Sequence, residues 1–485
     1  MGLSVALNAA RGSLQANAVQ TDVVSRNIAG VNDPSYSRKI TSLVTTDGPV
    51  RVVITRASNT FLFDRMVGST SELASRQAVL DGLTSLEDTV GDTEAGRSIS
   101  AKISALNVAL GDAANKPDDI NLAKAAVAAA KDLARSLNQA SSTVQSTRAR
   151  ADEEIDNSVK TINDLLAQFD KANKEVVLGT ARKVDISDAL DRRDKILAQL
   201  SKEIGISTAV RADNDMAIYA DNGSPLYEHG PRRVTFDPTA VFAAGTIGKA
   251  VLIDGVQVTG NGAVMPLQAG RIVGEVAVRD EIAITYQKQL DAIAGGLINA
   301  FAETDNNVAS GTALAGLLTD GGHPALPAAG AVGLASTIRV NPAADPEQSG
   351  NPFTLRDGGM NAGAQYLYNS TNAASFTAHL VALRSALGAD RAFPSDSELP
   401  LSTSLQTAAG ASASWLEAAR KAASVQVDNE SAFLDSASTA LSNATDVNRD
   451  DEVATMLQLE KSYAASAKLI ATVNAMLQTL LDAVR

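Results

Sequence analysis

Cysteine is absent from this 485-residue chain, and with it go disulfides, thiol nucleophiles and Cys-based metal sites. A reduced cytosolic life and secretion by a route without oxidative folding both fit. Aromatic residues are scarce: ten Phe, seven Tyr and one Trp make 4% of the chain, while Ala is abundant. Cores poor in rings and rich in Ala suit closely packed helices better than ligand pockets, which favour apolar and aromatic linings. Basic charge is in deficit, with 42 Lys and Arg against 55 Asp and Glu and a net charge of -13. An acidic surface repels phosphates, so nucleic-acid binding is not expected. No unbroken apolar run approaches the eighteen or so residues of a membrane span, so membrane insertion is not expected either. The N-terminus does not read as a cleavable signal, because Asn8, Arg11, Gln15 and Asn17 interrupt the first apolar stretch.

Catalytic patterns are equally scarce. The three histidines, His229, His323 and His379, have no second His three or four residues away, so no zinc site is expected. No nucleophile elbow, phosphate loop or dinucleotide fingerprint occurs. Asp446-Val447-Asn448-Arg449-Asp450 is spaced like the start of a calcium loop, but Asp451 stands where Gly is needed and Leu457 where Glu is needed. Capping of a following helix, with Asp450, Asp451 and Glu452 at its positive start, explains the run better. The pairs Asp191 with Asp194 and Glu153 with Glu154 lie beside Arg and Lys, as expected of solvated ion-pairing faces. No cofactor or metal is expected, and the chain reads as a structural subunit rather than an enzyme.

Glycine and proline are missing from two long blocks, and this divides the chain. Between Pro117 and Gly179 neither residue occurs, and Leu133, Leu137, Ala140 and Val144 recur at gaps of four, three and four. That spacing predicts one amphipathic helix of roughly 90 Å, opened by the proline and closed by the glycine. Upstream, Met66, Leu73, Leu80, Leu83 and Val90 predict a long helix, and Ile99, Ile103, Leu106 and Leu110 a shorter one. The second block runs from Ala411 to Arg485 and loses its seam in a polar break near 443–452. Residues 204–268 alternate in short stretches between Asp-Gly and Gly-Pro turns, the texture of β-structure. Ile282, Tyr286, Leu290, Ile293, Leu297 and Phe301 mark another helix, and 307–400 read as loops with irregular strands.

The expected fold class is therefore α+β and multidomain. Residues 59–203 and 401–445 form a long-helix bundle, which the helix at 279–303 can join. Residues 204–400 form a β-rich outer domain. Residues 1–58 and 446–485 form a coiled-coil assembly domain. Its seams are Leu3, Leu7, Ala10, Leu14, Asn17, Thr21, Val24 and Ile28 at one end, and Met456, Glu460, Tyr463, Ala467, Ile470, Asn474, Leu477, Leu481 and Val484 at the other. The three-four spacing is that of a coiled coil, with Asn17 and Asn474 as polar interruptions able to fix register. Periodicity alone fits helices packed on their own core. Separation from the body by 29–59 and 443–452 points instead to assembly with other copies.

Following the first seam stands Ser25-Arg26-Asn27-Ile28-Ala29-Gly30-Val31-Asn32-Asp33-Pro34-Ser35-Tyr36-Ser37-Arg38. It resembles the S-x-N-I-A-x-x-N-x-P-x-Y-x-R signature of bacterial flagellar rod, hook and hook-associated proteins. Locally, Asn27 and Asn32 can cap or turn the chain, Pro34 stops the helix, and Tyr36 and Arg38 offer an anchor and a charge. Lys39 departs from the Gln frequent in that family. Val447–Glu452, Leu459–Tyr463 and Ala471–Leu477 resemble its closing helix, and Asp188–Leu197 resembles the D-x-L-D-x-R-D-x-L segment of its hook-associated branch.

The resemblance implies a subunit of the flagellar axis at the hook–filament junction, exported by the flagellar type III channel without a cleaved signal. Its implied partners are other copies of itself, the hook protein, the next hook-associated protein, and a cytosolic export chaperone on the C-terminal helix. The paired end helices would line the inner tube and be disordered in the free monomer. Another hook or rod subunit is an alternative, disfavoured by Asp188–Leu197 and the long helix from 118. A secreted adhesin or enzyme on a coiled-coil stalk, with its site in 204–400, is a third.

Overall fold

The computed structural model describes residues 2–44, 51–87, 98–306 and 311–483, with side chains from Val5 onward. Val90, Val484 and the Leu3 side chain, all placed in seams above, lie outside the described residues.

The longest element is α4 (Ile120–Arg182), about 95 Å at the helical rise per residue. Asp119 caps it by accepting from the Asn121 N–H at 2.9 Å, two residues past Pro117. It does not stop before Gly179. The helix continues to Arg182 and closes at Lys183, whose φ of 56° is left-handed, with the Val184 N–H bonded back to the Gly179 carbonyl. Gly179 is needed for space instead: a Cβ there would lie 2.4 Å from the Ile186 side chain as the chain folds back. That return leads into α5 (Ser187–Glu203).

Around α4 lie α2 (Thr60–Glu87), α3 (Ile99–Asn115), α6 (Arg271–Ala277) and α7 (Ala283–Ala300), the last two joined by a π turn at Val278–Ile282. α11 (Leu405–Thr445) runs antiparallel to α2, with Arg420 bonded to Glu87 at 3.1 Å. Helices from both halves of the chain therefore share one bundle.

Strands are short. β3 (Ile206–Val210), β4 (Met216–Ala220) and β5 (Pro225–Tyr227) form one antiparallel sheet, and β6 (Val234–Thr235), β7 (Leu252–Ile253) and β8 (Val256–Gln257) another. Asp254 and Gly255 both have positive φ, as a tight hairpin turn requires. Further on come β9 (Leu318–Asp320) paired with β10 (Ile338–Val340), and β11 (Arg391–Ala392) paired with β12 (Ser402–Thr403). Short helices α8 (Leu334–Thr337), α9 (Thr354–Asp357) and α10 (Ala378–Gly388) lie among them.

Two buried clusters organise these parts, and they cut across the sequence-based boundaries. One joins Leu106, Leu133, Leu137 and Val144 to Leu290, Leu297 and Leu416, and also to Leu318, Ile338, Leu355, Leu383 and Phe393. Residues 318–399 are thus packed into the helical core rather than standing outside it. Their apolar residues sit singly among turns, a pattern without a period to reveal it. The second cluster joins Ile162, Leu166 and Phe169 of α4 and Leu197 of α5 to Ile218, Leu226, Val251 and Ile272. α4 is the spine of both.

Candidate assembly site: the first and last helices and their connector

The chain opens with α1 (Gly2–Gly30) and closes, within the described residues, with α12 (Arg449–Ala483). They lie side by side and antiparallel. Ser13 Oγ meets Ser466 Oγ at 3.0 Å, Asn17 Nδ2 donates to Ser462 Oγ at 3.0 Å, and Arg38 Nε to Glu452 Oε1 at 2.7 Å. On α1, Ala10, Asn17 and Val24 are buried, with Leu7, Leu14, Thr21 and Ile28 half-buried between them. The polar Asn17 inside this face is satisfied by Ser462, as a register-setting polar contact should be.

On α12 the buried face is turned from the spacing read in the sequence. It runs through buried Glu452 and Val473 and half-buried Leu459 and Ser466, all seven residues apart, flanked by half-buried Met456, Ile470 and Leu477. Glu460, Ala467, Asn474 and Leu481 lie outside it, and Tyr463 is 52% exposed and Leu481 68% exposed. Asn474 is therefore not a polar interruption of the contact. Two apolar rows run along this helix, and periodicity cannot say which one faces the partner. Val453, Leu457, Leu469, Met476 and Leu480 are exposed as well. Between Leu405 and Ala483 one window of 18 residues reaches a mean hydropathy of 1.2 with 6% of it buried. By length and composition alone it passes as a membrane span, although no unbroken apolar run exists there, because single polar residues barely lower a window average.

The signature after α1 forms a closed network. Asn27 is buried and does not cap the helix end: its Nδ2 donates to the Lys39 carbonyl at 2.9 Å, and its Oδ1 accepts from the Lys39 N–H at 2.9 Å and the Tyr36 hydroxyl at 3.0 Å. Burial pushes the Tyr36 pKa up, so the hydroxyl stays a donor. Its ring lies against Gly30, where a Cβ would come within 2.6 Å. The turn itself is made by Asp33, whose carboxylate accepts from the Ser35 N–H at 2.9 Å. Asn32 and Pro34 are exposed on it. At the far side Asn448 caps α12 through the Asp450 N–H at 3.0 Å, while Glu452 turns inward to Arg38. The Arg38 N–H also donates to the Thr445 carbonyl at 2.8 Å, so both chain crossings are tied together.

Beyond the turn, β1 (Lys39–Val44) and β2 (Arg51–Arg56) form an antiparallel hairpin against α5. Lys39 is fully buried and pairs with Asp191 and, at 3.4 Å, with Asp188. Arg56 binds Asp191 at 3.1 Å and Asp194, and Arg26 of α1 binds Asp185 at 3.3 Å and Asp188 at 3.5 Å. Burial pushes the Asp194 pKa up against the pull of Arg56. The Asp185 carboxyl feels burial first, yet bonds from Ser187 and the charge of Arg26 bring it below the usual range. Asp191 and Asp194 are thus interior partners of the connector, not a solvated face. The sequence signal for this was the recurrence of Asp every third residue from 185 to 194, opposite three cations whose distance in sequence hid the match. Among the described residues no three His, Asp or Glu converge as metal ligands.

Paired outer helices are thus joined through an ion-paired hairpin to a body built on one long helix. Residues 83–316 match the flagellar hook-associated protein FlgK helical domain, and residues 440–483 match the flagellar basal body rod FlgEFG protein C-terminal family. A solved structure titled as the flagellar hook junction protein FlgK from Burkholderia pseudomallei is similar at 20% identity and a TM-score of 0.42. That similarity covers 53% of this chain and 47% of the Burkholderia chain, so this chain spans about half of that relative's length. No curated protein matches. The two matched regions, helical and C-terminal, together support a FlgK-type flagellar hook-associated protein.

Proposed function

We propose that this chain is a structural subunit of the bacterial flagellum that joins hook to filament, working mechanically and performing no catalysis. Its partners are other copies of itself, the hook protein and the next hook-associated protein. It acts outside the cell after export through the flagellar channel, held beforehand by a cytosolic chaperone at the C-terminal helix. The observation that carries this reading is the apolar surface of α12. Among its 35 residues only Glu452 and Val473 are buried against the rest of the chain, while Leu457, Tyr463, Met476, Leu480 and Leu481 remain outside. A helix pair in water with one shared seam is marginally stable, and packing against neighbouring copies would cover the rest.

Deletion of residues 1–30 or 450–485 tests it. The truncated chains are expected to keep the helical signal of the body and its cooperative melt, and to fail to join hook to filament or restore motility. Retained motility would sink the assembly role, and global unfolding would sink the independence of the body from its ends.

A further inference from the structure

Only two chain crossings, near 57–59 and 446–448, connect the α1/α12 pair to the body. Apolar packing does little to aim it, since the hairpin turns Ile40, Leu43, Val44 and Val53 to solvent. Charge does the aiming. Three cations from three elements, Arg26 at the end of α1, Lys39 at the start of β1 and Arg56 at the end of β2, meet four carboxylates spaced three apart, Asp185, Asp188, Asp191 and Asp194. Lys39 sits deepest with no side-chain exposure, Arg56 next at 12%, and Arg26 outermost at 31%.

We infer that this cluster is an electrostatic latch that presets the direction in which the first and last helices leave the body. Strand geometry makes the latch selective: Lys39 points inward and Ile40 outward, so a slip of one residue would put an apolar side chain against Asp191. The backbone at Lys39 is fixed on both its N–H and its carbonyl by Asn27, so the register is held from the α1 side as well. Burying these ions costs desolvation that their attraction largely offsets, and the surplus in overall stability is small. What the cluster supplies is orientation. An undocked connector would return seven charges to water, while any misdocked one would leave a carboxylate buried and unpaired. The far ends of α1 and α12 can therefore fray while their roots stay aimed.

The inference deepens the assembly reading, but its test reads the free chain, so its failure would leave that reading standing. Because the chain has no cysteine, cysteines placed at the exposed Ser42 and Lys171 take spin labels uniquely. The intact chain is expected to give one narrow distance distribution between hairpin and α4. The pair of substitutions Asp188→Asn and Asp191→Asn is expected to lose it to a broad one, with helical circular dichroism and the melting of the body unchanged. A narrow distribution at the same mean in that variant, or a broad one in the unsubstituted chain, overturns the latch. Should that variant lose helix, Arg26→Gln with Arg56→Gln, whose guanidinium groups lie nearer the surface, is read by the same criterion.

Discussion

His379 opens α10 with its ring stacked on Tyr368, centroids 4.1 Å apart and planes 13° from parallel. It is 7% exposed and its Nε2 has no hydrogen-bond partner. Burial pulls its pKa from 6.5 to about 4, because protonation would strand a charge away from water. A base whose folded pKa is depressed adds stability above its unfolded value and loses it as pH falls through the folded one. Each unit is worth about 1.4 kcal/mol, so acidification from 6.5 to below 4 removes about 3 kcal/mol through this one group. His379→Phe keeps the stacking and removes the titration. Urea midpoints at pH 7 and pH 4 should fall less in the variant than in the parent chain, and equal falls would refute the assignment. At this scale the sequence was a partial guide. Three isolated histidines offered no spacing for a shared ligand set, but nothing in the string marks Lys39 as fully buried. A charge reads as exposed until the fold brings Asp191 to it from 152 positions away.

At the scale of elements, α2 and α6 cross at a distance only glycine permits. A Cβ on Gly274 would lie 2.3 Å from the Ser75 carbonyl oxygen, and one on Gly82 of α2 would lie 2.5 Å from Val278. Gly68, also in α2, has nothing within 4 Å of its Cβ position. Gly274→Ala should therefore destabilise by about 1–3 kcal/mol through overpacking, whereas Gly68→Ala should stabilise by up to about 1 kcal/mol through helix propensity. Paired thermal melts decide it, and a stabilised Gly274→Ala would show that the helices are free to separate. The same distinction explains where element boundaries were legible. Gly/Pro-free blocks and four-three spacing located α4, α11 and α12, because helix geometry is local. Gly179 looked like a terminator and is a packing glycine, a difference that depends on Ile186 across the turn. The α12 face was misassigned for a like reason: its two apolar rows differ only in what α1 offers them.

For the whole molecule, burial is graded from body to ends. α4 has buried residues along nearly every turn, from Ala123 to Gly179, and is the common wall of both cores. α1 and α12 share one seam, and their strongest fixed points, Asn27 and Glu452, lie at the roots beside the connector. Local opening follows burial, because amide protection reports the free energy of exposing each segment. In the monomeric chain, exchange should be slowest along α4, intermediate at Lys39 and Arg38, and fastest in α12 beyond Val473 and in α1 before Ala10. The order matters more than the rates: a latch at the root with loose far ends requires protection to decline outward along both helices. Uniform protection along α12, equal to that of α4 at concentrations where the chain is a monomer, would mean the end helices are finished structure before assembly. The exposed Leu457, Met476 and Leu480 would then need an explanation other than contacts completed by neighbouring copies.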